Sequence, residues 1–297
     1  MTVPIDQAVL QCGERTLDLG QVRIMGILNV TPDSFSDGGQ YARVDEALAR
    51  ARALVAQGAD ILDIGGESTR PGAEPVPLAE ERRRVLPVIE ALHAELAVPL
   101  SVDTMKPALM REAVATGAGL LNDVNGFRAE GALAVAVEAA RERGVALCAM
   151  HMQGGPQSMQ RSPHYDDVVA EVGAFLDQRV AELMAAGVPR GQILLDPGFG
   201  FGKTLEHNVT LFRGLPRLAA AGLPLLVGVS RKSMIGQLLG DRPVAERDPG
   251  SAVAALLAAQ AGARVLRVHD VSATRDALAL YSVLNADSDN EQDSRGN

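Results

Sequence analysis

The chain has 297 residues, 47% of them hydrophobic, and a formal net charge of −9. This length and composition fit one α/β domain with a sizeable core, and the charge disfavours nucleic acid and anionic membranes as partners. No apolar run reaches the roughly 18 residues that span a bilayer, and the N-terminus has no basic segment followed by an apolar one, so neither membrane insertion nor secretion is expected.

From residue 22 onwards, apolar strand-like runs alternate with helix-like stretches. Strands are predicted in VRIMGILNV, ADILDIGG, PLSVDT, LLNDVNG, VALCAMHM, ILLDPG, PLLVGVS and RVLRVHD. Helices are predicted over 44–58, 78–96, from 106, 130–143, 165–186, 205–221, 250–261 and 271–285. Residues 1–21 are expected to form a leader able to make a short hairpin, 22–285 a single domain, and 286–297 a disordered acidic tail.

Nearly every predicted strand ends on a polar or charged residue. These residues are Asn29, Asp63, Asp103, Asn122, His151, Asp196, Ser230 and the pair Arg267 and His269. Strict alternation of strands and helices implies a parallel sheet, which can stay open or close into a barrel. An open doubly wound sheet binds ligands at one switch point. Polar ends on all eight strands instead favour a (β/α)8 TIM barrel whose active site lies at that end.

Alternation within the strands sharpens this expectation, because side chains two residues apart share a face. Ser101 would share a face with Asp103, and Leu194 with Asp196. Leu195 would then point outward against the helices. The polar residues are therefore predicted to point into the barrel.

Two long loops follow the first two predicted strands. NVTPDSFSDGG (29–39) is longer than a plain turn and exposes Phe35, which is typical of a mobile lid. GGESTRPGAEP (65–75) holds Arg70 next to Pro71, a rigid position for a cation aimed at an anion. A surface turn would explain the second loop taken alone. Two such loops at the same end of the barrel favour a functional role.

Asp103 and Asp196 are the sharpest candidates for ligand binding. Both end apolar strands near the barrel axis, where a carboxylate needs a cation or several hydrogen-bond donors. The N–H edge of a 2-amino-4-oxo heterocycle would donate two parallel hydrogen bonds to such a group. The alternatives are an ion pair with Lys232 or Arg267 and, for Asp103, a cap on the helix that begins at Lys106.

The segment GFGFGKT (198–204) is close to a phosphate-binding P-loop, but Pro197 stands where the first glycine is required. Its glycines are instead expected to let the backbone pass close to a ligand. Phe199 and Phe201 would supply packing or stacking surfaces. The segment therefore predicts one wall of a ligand site.

The segments SRKS (230–233) and RVHD (267–270) follow the last two strands, where barrels commonly bind phosphate. Taken alone, Lys232 could be a solvated surface charge and His269 a buried core histidine. Arg267 and His269, however, share a strand face at the barrel mouth. This sharing favours an anion site.

The remaining histidines and the cysteines carry less information. His151, in MHMQGG, is given no role. Cys12 and Cys148 show no CxxC spacing and are predicted to be free thiols, which suits a reducing cytoplasm. The His and Cys residues are too scattered for a zinc site.

The motifs GILNVTPDSFSDGG, DIGGESTRPGA, SVDT, NDVNG, MHMQG, DPGFGFGK, VGVSRKS and RVHD follow one another at family-like intervals. On these motifs the chain resembles the dihydropteroate synthase family along nearly its whole length. The resemblance implies a transferase that joins 6-hydroxymethyl-7,8-dihydropterin diphosphate to para-aminobenzoate and releases pyrophosphate and 7,8-dihydropteroate. It also implies a cytoplasmic homodimer, small-molecule substrates and a sulfonamide target.

The same resemblance implies roles for individual residues. The pterin would contact Asp103, Asn122, Asp196, Lys232 and Arg267. The diphosphate would contact Asn29, Thr69, Arg70, Arg267 and His269, and Asn29 would also ligate Mg²⁺. The para-aminobenzoate pocket would comprise Phe35, Thr69, Pro71, Phe201 and Ser230. The implied catalytic set is Asp103, Lys232, Arg267, His269 and Arg70.

The implied chemistry needs no side-chain nucleophile. Pyrophosphate would leave first, assisted by Mg²⁺, Arg267 and His269, and the amine would then attack the resulting cation. Two other hypotheses remain at this point. One is a pterin-dependent methyltransferase barrel, which has no diphosphate to hold, and the other is a non-catalytic paralogue that binds pterin.

Overall fold

The alternating strands and helices close into a barrel. A computed structural model describes residues 8–31, 40–68, 72–155 and 157–285. The strands are β1 (Val9–Cys12), β2 (Arg15–Asp18), β3 (Arg23–Asn29), β4 (Ile61–Gly65), β5 (Leu100–Asp103), β6 (Leu120–Asp123), β7 (Ala146–Met150), β8 (Ile193–Asp196), β9 (Leu225–Val227) and β10 (Ala263–Val268). Strands β3 to β10 follow one another in order around a closed parallel barrel, and β10 pairs with β3. The predicted (β/α)8 TIM barrel is confirmed.

Helices connect the barrel strands and cover their outer faces. They are α1 (Gln40–Ala56), α2 (Leu78–Glu95), α3 (Pro107–Thr116), α4 (Ala132–Arg143), α5 (Val168–Ala185), α6 (Leu205–Arg213), α7 (Leu215–Ala219), α8 (Ser233–Leu238), α9 (Asp248–Gln260) and α10 (Val271–Asn285). Of the helices in the described ranges, none combines the length and the apolarity that a membrane crossing requires. The predicted acidic tail, 286–297, lies outside the described residues.

Part of the helical prediction is wrong. The stretch 205–221 contains two helices, α6 and α7, because Pro216 has no N–H with which to continue the first helix. Gly214 ends α6 and begins α7. Helix α8 has no counterpart in the prediction, since its six residues are too few to show a helical period.

Alternate strand residues lie on opposite sides of the barrel wall, as predicted. Leu100, Val102 and Leu195 pack in the large apolar cluster that the strands share with the helices. Leu194 packs in a separate cluster inside the barrel. Because neighbouring strand residues point to opposite faces, this arrangement turns Asp196 toward the interior.

The antiparallel hairpin of β1 and β2 closes the N-terminal end of the barrel. The N–H of Gly13 donates to the carbonyl of Gly144 at 3.0 Å, and the Arg15 guanidinium donates to the carbonyl of Val98 at 2.7 Å. Three hairpin side chains join the inner apolar cluster, namely Leu10, Cys12 and Leu17. Both cysteines are buried free thiols, as predicted. Burial raises the pKa of Cys12 to about 12, so this thiol stays protonated at neutral pH.

Candidate active site

A cavity of about 570 Å³ opens at the C-terminal ends of the barrel strands. Seven described residues of the predicted substrate-binding and catalytic sets line it. They are Asn29, Asp103, Phe201, Ser230, Lys232, Arg267 and His269. Two further candidates, Asn122 and Asp196, are buried at the ends of β6 and β8. Residues from distant parts of the sequence therefore meet around one mouth, where barrel enzymes carry their chemistry.

Four of the predicted residues lie outside the described residues. They are Phe35, Thr69, Arg70 and Pro71. The described ends of their loops border the cavity, because Asn29, Thr31, Glu67 and Ser68 all line it. The roles of the four residues remain predictions.

Arg267 connects two carboxylates on the cavity floor. Its Nε donates to Asp63 Oδ2 at 2.6 Å, and its Nη2 donates to Asp103 Oδ2 at 2.8 Å. Asp63 is fully buried and also accepts hydrogen bonds from Ser101 Oγ at 2.5 Å and from Asn122 Nδ2 at 3.2 Å. The floor is therefore one connected network built from four strands.

Of the two alternatives for Asp103, the ion pair is present and the helix cap is not. The cap residue of α3, Lys106, forms no capping side-chain bond, and its N–H is bound by Thr104 Oγ1 at 3.2 Å. The ion pair occupies only one oxygen of Asp103. Within the described ranges, Asp103 Oδ1 and Asn122 Oδ1 are both buried without a hydrogen-bond partner.

The orientation of the Asn122 amide follows from its neighbour. Asp63 Oδ2 accepts hydrogen bonds from both Arg267 Nε and Asn122 Nδ2, so the amide NH₂ faces Asp63 and the amide oxygen faces away. Buried acceptors without donors cost free energy, of the order of 1–3 kcal/mol each. A ligand with an N–H edge would remove this cost at both Asp103 and Asn122. The floor is therefore suited to a nitrogen-rich heterocycle.

Burial shifts the pKa values of three charged groups at the site toward neutrality. It raises the pKa of Asp103 to about 7, although the Arg267 guanidinium opposes the shift. It also raises the pKa of Asp196, with Lys232 as the main opposing group. Burial lowers the pKa of Lys232 to about 8, with Asp196 opposing. Such shifts in one cleft are typical of functional sites.

Lys232 packs against the turn that follows β8. Its Nζ donates to the carbonyl of Phe199 and lies 4.8 Å from the centroid of the Phe201 ring. The N–H of Gly198 donates to Asp196 Oδ1 at 2.7 Å. Phe199 is fully buried and its ring packs 5.8 Å from that of Phe212, so the ring belongs to the core. Both Phe199 and Phe201 contribute to the cavity lining.

Ser230 fixes the orientation of His269. The Ser230 oxygen accepts a hydrogen bond from the His269 backbone N–H at 3.2 Å and lies 3.0 Å from Nδ1 of the ring. Where the Ser230 hydroxyl donates to Nδ1, the ring proton lies on Nε2. A histidine with this tautomer presents Nε2–H as a donor.

The described residues fit a magnesium site made mostly by ligand oxygens. They contain no group of three or more His, Cys, Asp or Glu residues that could hold a metal. Asn29 Oδ1 and Asp103 Oδ2 both lie beside Gly65, 3.9 Å and 3.8 Å from a Cβ placed there, and Asp103 Oδ2 already accepts a hydrogen bond from Arg267, so Asn29 is the oxygen left for a metal. Amide and carboxylate oxygens are hard ligands, and Mg²⁺ commonly keeps only one or two of them beside phosphate oxygens and water.

Two buried polar residues of the site, Asp63 and Lys203, have no role that the sequence alone indicates. Asp63 is recognisable as a polar strand end, but its hydrogen bonds depend on strand neighbours that the sequence does not name. Lys203 is 3% exposed and donates to the backbone of the turn after β8. In the sequence Lys203 stands where the lysine of a P-loop would stand, and the motif does not indicate which groups surround it in the fold.

Fold and cavity together define a barrel enzyme with a site for a nitrogen-rich ligand. The sequence profile of the family described as pterin binding enzyme matches residues 25–269. The chain is 49% identical over 265 residues to the dihydropteroate synthase of Escherichia coli strain K12. The matched region covers 89% of this chain and 92% of that relative. The chain belongs to the dihydropteroate synthase family of pterin-binding enzymes.

Solved structures agree with this membership. Dihydropteroate synthase from Xanthomonas albilineans with 4-aminobenzoic acid is 52% identical, has a TM-score of 0.87, and covers 94% of this chain and 98% of its own. The Burkholderia cenocepacia enzyme complexed with 7,8-dihydropteroate is 48% identical, with a TM-score of 0.87 and coverage of 98% and 100%.

Proposed function

We propose that the chain condenses 6-hydroxymethyl-7,8-dihydropterin diphosphate with para-aminobenzoate to give 7,8-dihydropteroate and pyrophosphate. The observation that carries the proposal is the pair of buried acceptors, Asp103 Oδ1 and Asn122 Oδ1, at the base of the cavity. A pterin ring has the N–H donors that such acceptors require. The 4-aminobenzoic acid and 7,8-dihydropteroate bound to relatives support the same pair of substrates.

The pterin is proposed to lie on the floor of the cavity. Asp103, Asn122 and Asp196 supply acceptors for its N–H groups, because each presents an oxygen at a strand end. Lys232 and Arg267 carry only donors and suit the carbonyl and imine positions of the ring. The floor therefore matches both kinds of group on the heterocycle.

The diphosphate is proposed to bind at the mouth of the cavity. His269 lines this region and is oriented by Ser230, so its Nε2–H is suited to a phosphate oxygen. Asn29 lies at the same rim. Thr69 and Arg70, on the loop after β4, are also proposed to contact the diphosphate, as the family resemblance implies.

Asn29 and the diphosphate oxygens are proposed to hold Mg²⁺. When bound there, Mg²⁺ would shield the negative charge of the pyrophosphate leaving group. Calorimetry of pyrophosphate binding with and without Mg²⁺, in wild type and Asn29→Ala, tests this proposal without turnover. Mg²⁺ is expected to tighten pyrophosphate binding more in wild type than in the variant. An equal gain in both proteins would contradict the role of Asn29.

The para-aminobenzoate is proposed to bind beside Phe201 and Ser230, which both line the cavity. Phe201 offers a ring face next to Lys232. The Ser230 hydroxyl is bonded to His269, so its contribution to this pocket includes holding that histidine. Phe35, Thr69 and Pro71 complete the proposed pocket.

The proposed reaction begins with departure of the leaving group. The bond between the exocyclic methylene carbon and the diphosphate oxygen breaks, and the electron pair leaves with pyrophosphate. Donors such as His269 Nε2–H stabilise the charge that develops on the phosphate oxygens. The dihydropterin ring delocalises the cation left on carbon, the amine nitrogen supplies the new bonding pair, and the amine then loses a proton. Burial of the floor excludes water that would otherwise capture the cation.

A pyrophosphate-release assay tests the proposed reaction. Wild type with Mg²⁺ and both substrates is expected to release one pyrophosphate for each dihydropteroate formed. Asp103→Ala is expected to lose at least roughly a hundredfold in turnover, in line with the loss of one preorganised charged group. Retained pterin binding without pyrophosphate release in wild type would indicate a non-catalytic protein, and methyl transfer from methyltetrahydrofolate would indicate a methyltransferase.

We also propose a homodimer that buries the outer face of α9 and α10. These helices pack against each other and carry exposed apolar side chains, including Leu257 at 48% exposure and Leu280 at 63%. A contiguous exposed apolar face is typical of an association surface, and a second copy would cover it symmetrically. Light scattering is expected to find a dimer for wild type and a monomer for Leu257→Glu with Leu280→Glu. A wild-type monomer at micromolar concentration would contradict the dimer.

The cytoplasm is the proposed location of the chain. Its two cysteines are free and buried, a state that a reducing compartment maintains. Fractionation of the native cells is expected to recover the protein with cytoplasmic markers. Recovery with an exported fraction would contradict the proposal.

A further inference from the structure

Lys203 takes no part in the proposed chemistry, yet its ammonium is almost completely enclosed. It is 3% exposed. Its Nζ donates to the carbonyl of Gly198 at 2.9 Å and to the carbonyl of Phe201 at 3.1 Å, and lies 2.9 Å from His151 Nδ1. An ammonium has three N–H donors and no acceptor. All three donors of Lys203 therefore have partners.

His151 is the acceptor for the third donor. Burial lowers the pKa of His151 to about 3, so the imidazole is neutral at physiological pH. Burial lowers the pKa of Lys203 to about 7, and while its Nζ is protonated it can only donate, so Nδ1 accepts and the ring proton lies on Nε2. The His151 ring is itself held edge-on to Phe175, with ring centroids 4.9 Å apart. His151 therefore anchors Lys203 to the segment that follows β7, because its own ring is held in place by Phe175.

The turn tied by Lys203 lies directly on that segment. Gly198 and Gly202 have positive φ angles of 71° and 62°. A Cβ on Gly198 would lie 1.9 Å from the His151 carbonyl oxygen, and one on Gly202 would lie 2.5 Å from that of Gln153. Only glycine permits this contact between backbones. The turn therefore has little room to shift toward β7, and Lys203 holds it from within.

Three groups of the proposed substrate site depend on this turn. Asp196 accepts a hydrogen bond from the N–H of Gly198, and Lys232 donates to the carbonyl of Phe199. The Phe201 ring lies beneath the Lys232 ammonium. A displacement of the turn by a fraction of an ångström would move all three groups at once.

We propose that Lys203 is a positioning residue for the reaction, which ties residues 198–202 to His151 and so places Asp196, Phe201 and Lys232 around the substrates. This inference rests on the proposed function of the cavity. It explains why a charged side chain occupies a buried place that an apolar residue could fill at lower desolvation cost. It also gives His151 a role as the partner that fixes Lys203.

Substrate binding and turnover in Lys203→Met test the proposal, since methionine retains much of the volume and removes all three donors. The affinity for 6-hydroxymethyl-7,8-dihydropterin, measured by calorimetry, is expected to fall ten- to a hundredfold. The KM for para-aminobenzoate is expected to rise at least fivefold. Lys203→Gln, which keeps amide donors, is expected to recover part of both losses.

Gln192→Met is the matched control. Gln192 is a buried polar residue just before β8, on the opposite end from Asp196, and its Nε2 donates to the carbonyl of Ala140 at 3.1 Å. This variant is expected to lower the urea midpoint while leaving the pterin affinity and the KM within twofold of wild type. Equal substrate parameters in Lys203→Met and Gln192→Met, at equal loss of stability, would overturn the positioning role.

A double-mutant cycle between Lys203→Met and His151→Phe tests the partnership. Phenylalanine retains the ring contact and removes the acceptor, so the effect of His151→Phe on pterin affinity is expected to be much smaller when Lys203 is already methionine. Additive losses would overturn the assigned partner. If Lys203→Met does not fold, the same double-mutant cycle can be measured with Lys203→Gln and His151→Phe. Absence of pyrophosphate release in wild type would refute the proposed reaction, whereas the pterin affinities would still decide the role of Lys203.

Discussion

The two ends of the barrel interior differ in chemistry: the N-terminal end is apolar and the C-terminal end is polar. Four strands carry an apolar side chain and, two residues later on the same face, a polar one. These pairs are Ile61 and Asp63, Leu120 and Asn122, Leu194 and Asp196, and Val265 and Arg267. The apolar members form one cluster with the N-terminal hairpin. Among the polar members, Arg267 lines the cavity, and Asp63, Asn122 and Asp196 are buried at the same end of the barrel.

Stability and chemistry occupy adjacent layers of the same strands. Two residues along a strand span only about 6.6 Å. In the lower layer, apolar side chains need no hydrogen bonds and contribute packing. In the upper layer, buried acceptors on Asp103 and Asn122 lack partners within the described residues, which favours ligand binding at the expense of stability.

The largest effect is expected from Arg267→Met, which removes the cation between two buried carboxylates. Asp63 and Asp103 would then face each other without a counter-charge, so the unfolding free energy is expected to fall by about 3–5 kcal/mol. Pyrophosphate release is expected to fall by at least roughly a thousandfold, because Arg267 loses both its proposed pterin contact and its predicted contact with the diphosphate. Arg267→Lys should recover little, since lysine lacks the planar fork that binds both groups. Near-normal turnover in either variant would show that the polar layer around Arg267 is not needed for catalysis.

A large effect on stability alone is expected from Leu194→Ala in the lower layer. The cavity left in the inner cluster should lower the unfolding free energy by about 2–5 kcal/mol. Turnover per folded molecule, measured well below the unfolding midpoint, should stay within roughly threefold of wild type. A selective loss of turnover at unchanged stability would show that the two layers are not separate.

A smaller, binding-specific effect is expected from Asp63→Asn. An amide in place of the carboxylate no longer fixes the Asn122 amide and weakens the bond to Arg267, so pterin affinity should fall by about 1–3 kcal/mol. Ser101→Ala is the matched control, because it removes one donor to Asp63 and leaves the Asn122 contact in place. Calorimetry with pterin is the measurement. Equal affinities in wild type and Asp63→Asn would show that Asp63 does not orient the floor.

The last expected effect is on the pH dependence of stability. The folded Asp103 carboxyl has a pKa of about 7, above its ordinary value of 3.8, so the folded protein binds more protons than the unfolded chain between these values. Its contribution to stability is therefore lost as pH rises from about 4 to about 7. The unfolding free energy of wild type minus that of Asp103→Asn should fall over this interval and level off above it. A flat difference would contradict the raised pKa.

The sequence predicts the fold and the members of the floor for a physical reason. Periods of two and of about 3.6 residues identify strands and helices, and polar ends identify the active end of the barrel. The hydrogen bonds themselves are not predictable from these patterns, because Arg267 and Asp63 are 204 residues apart and meet only after the barrel closes. Lys203 is missed for the same reason, since its partner His151 lies on another strand end.

A crystal structure of the protein with 6-hydroxymethyl-7,8-dihydropterin tests the central claim most directly. The two oxygens to inspect are Asp103 Oδ1 and Asn122 Oδ1. Each is expected to lie about 2.7–3.2 Å from a nitrogen of the pterin, the usual range for an N–H···O hydrogen bond. A pterin bound elsewhere, or bound in the cavity with both oxygens still lacking a donor, would contradict the account.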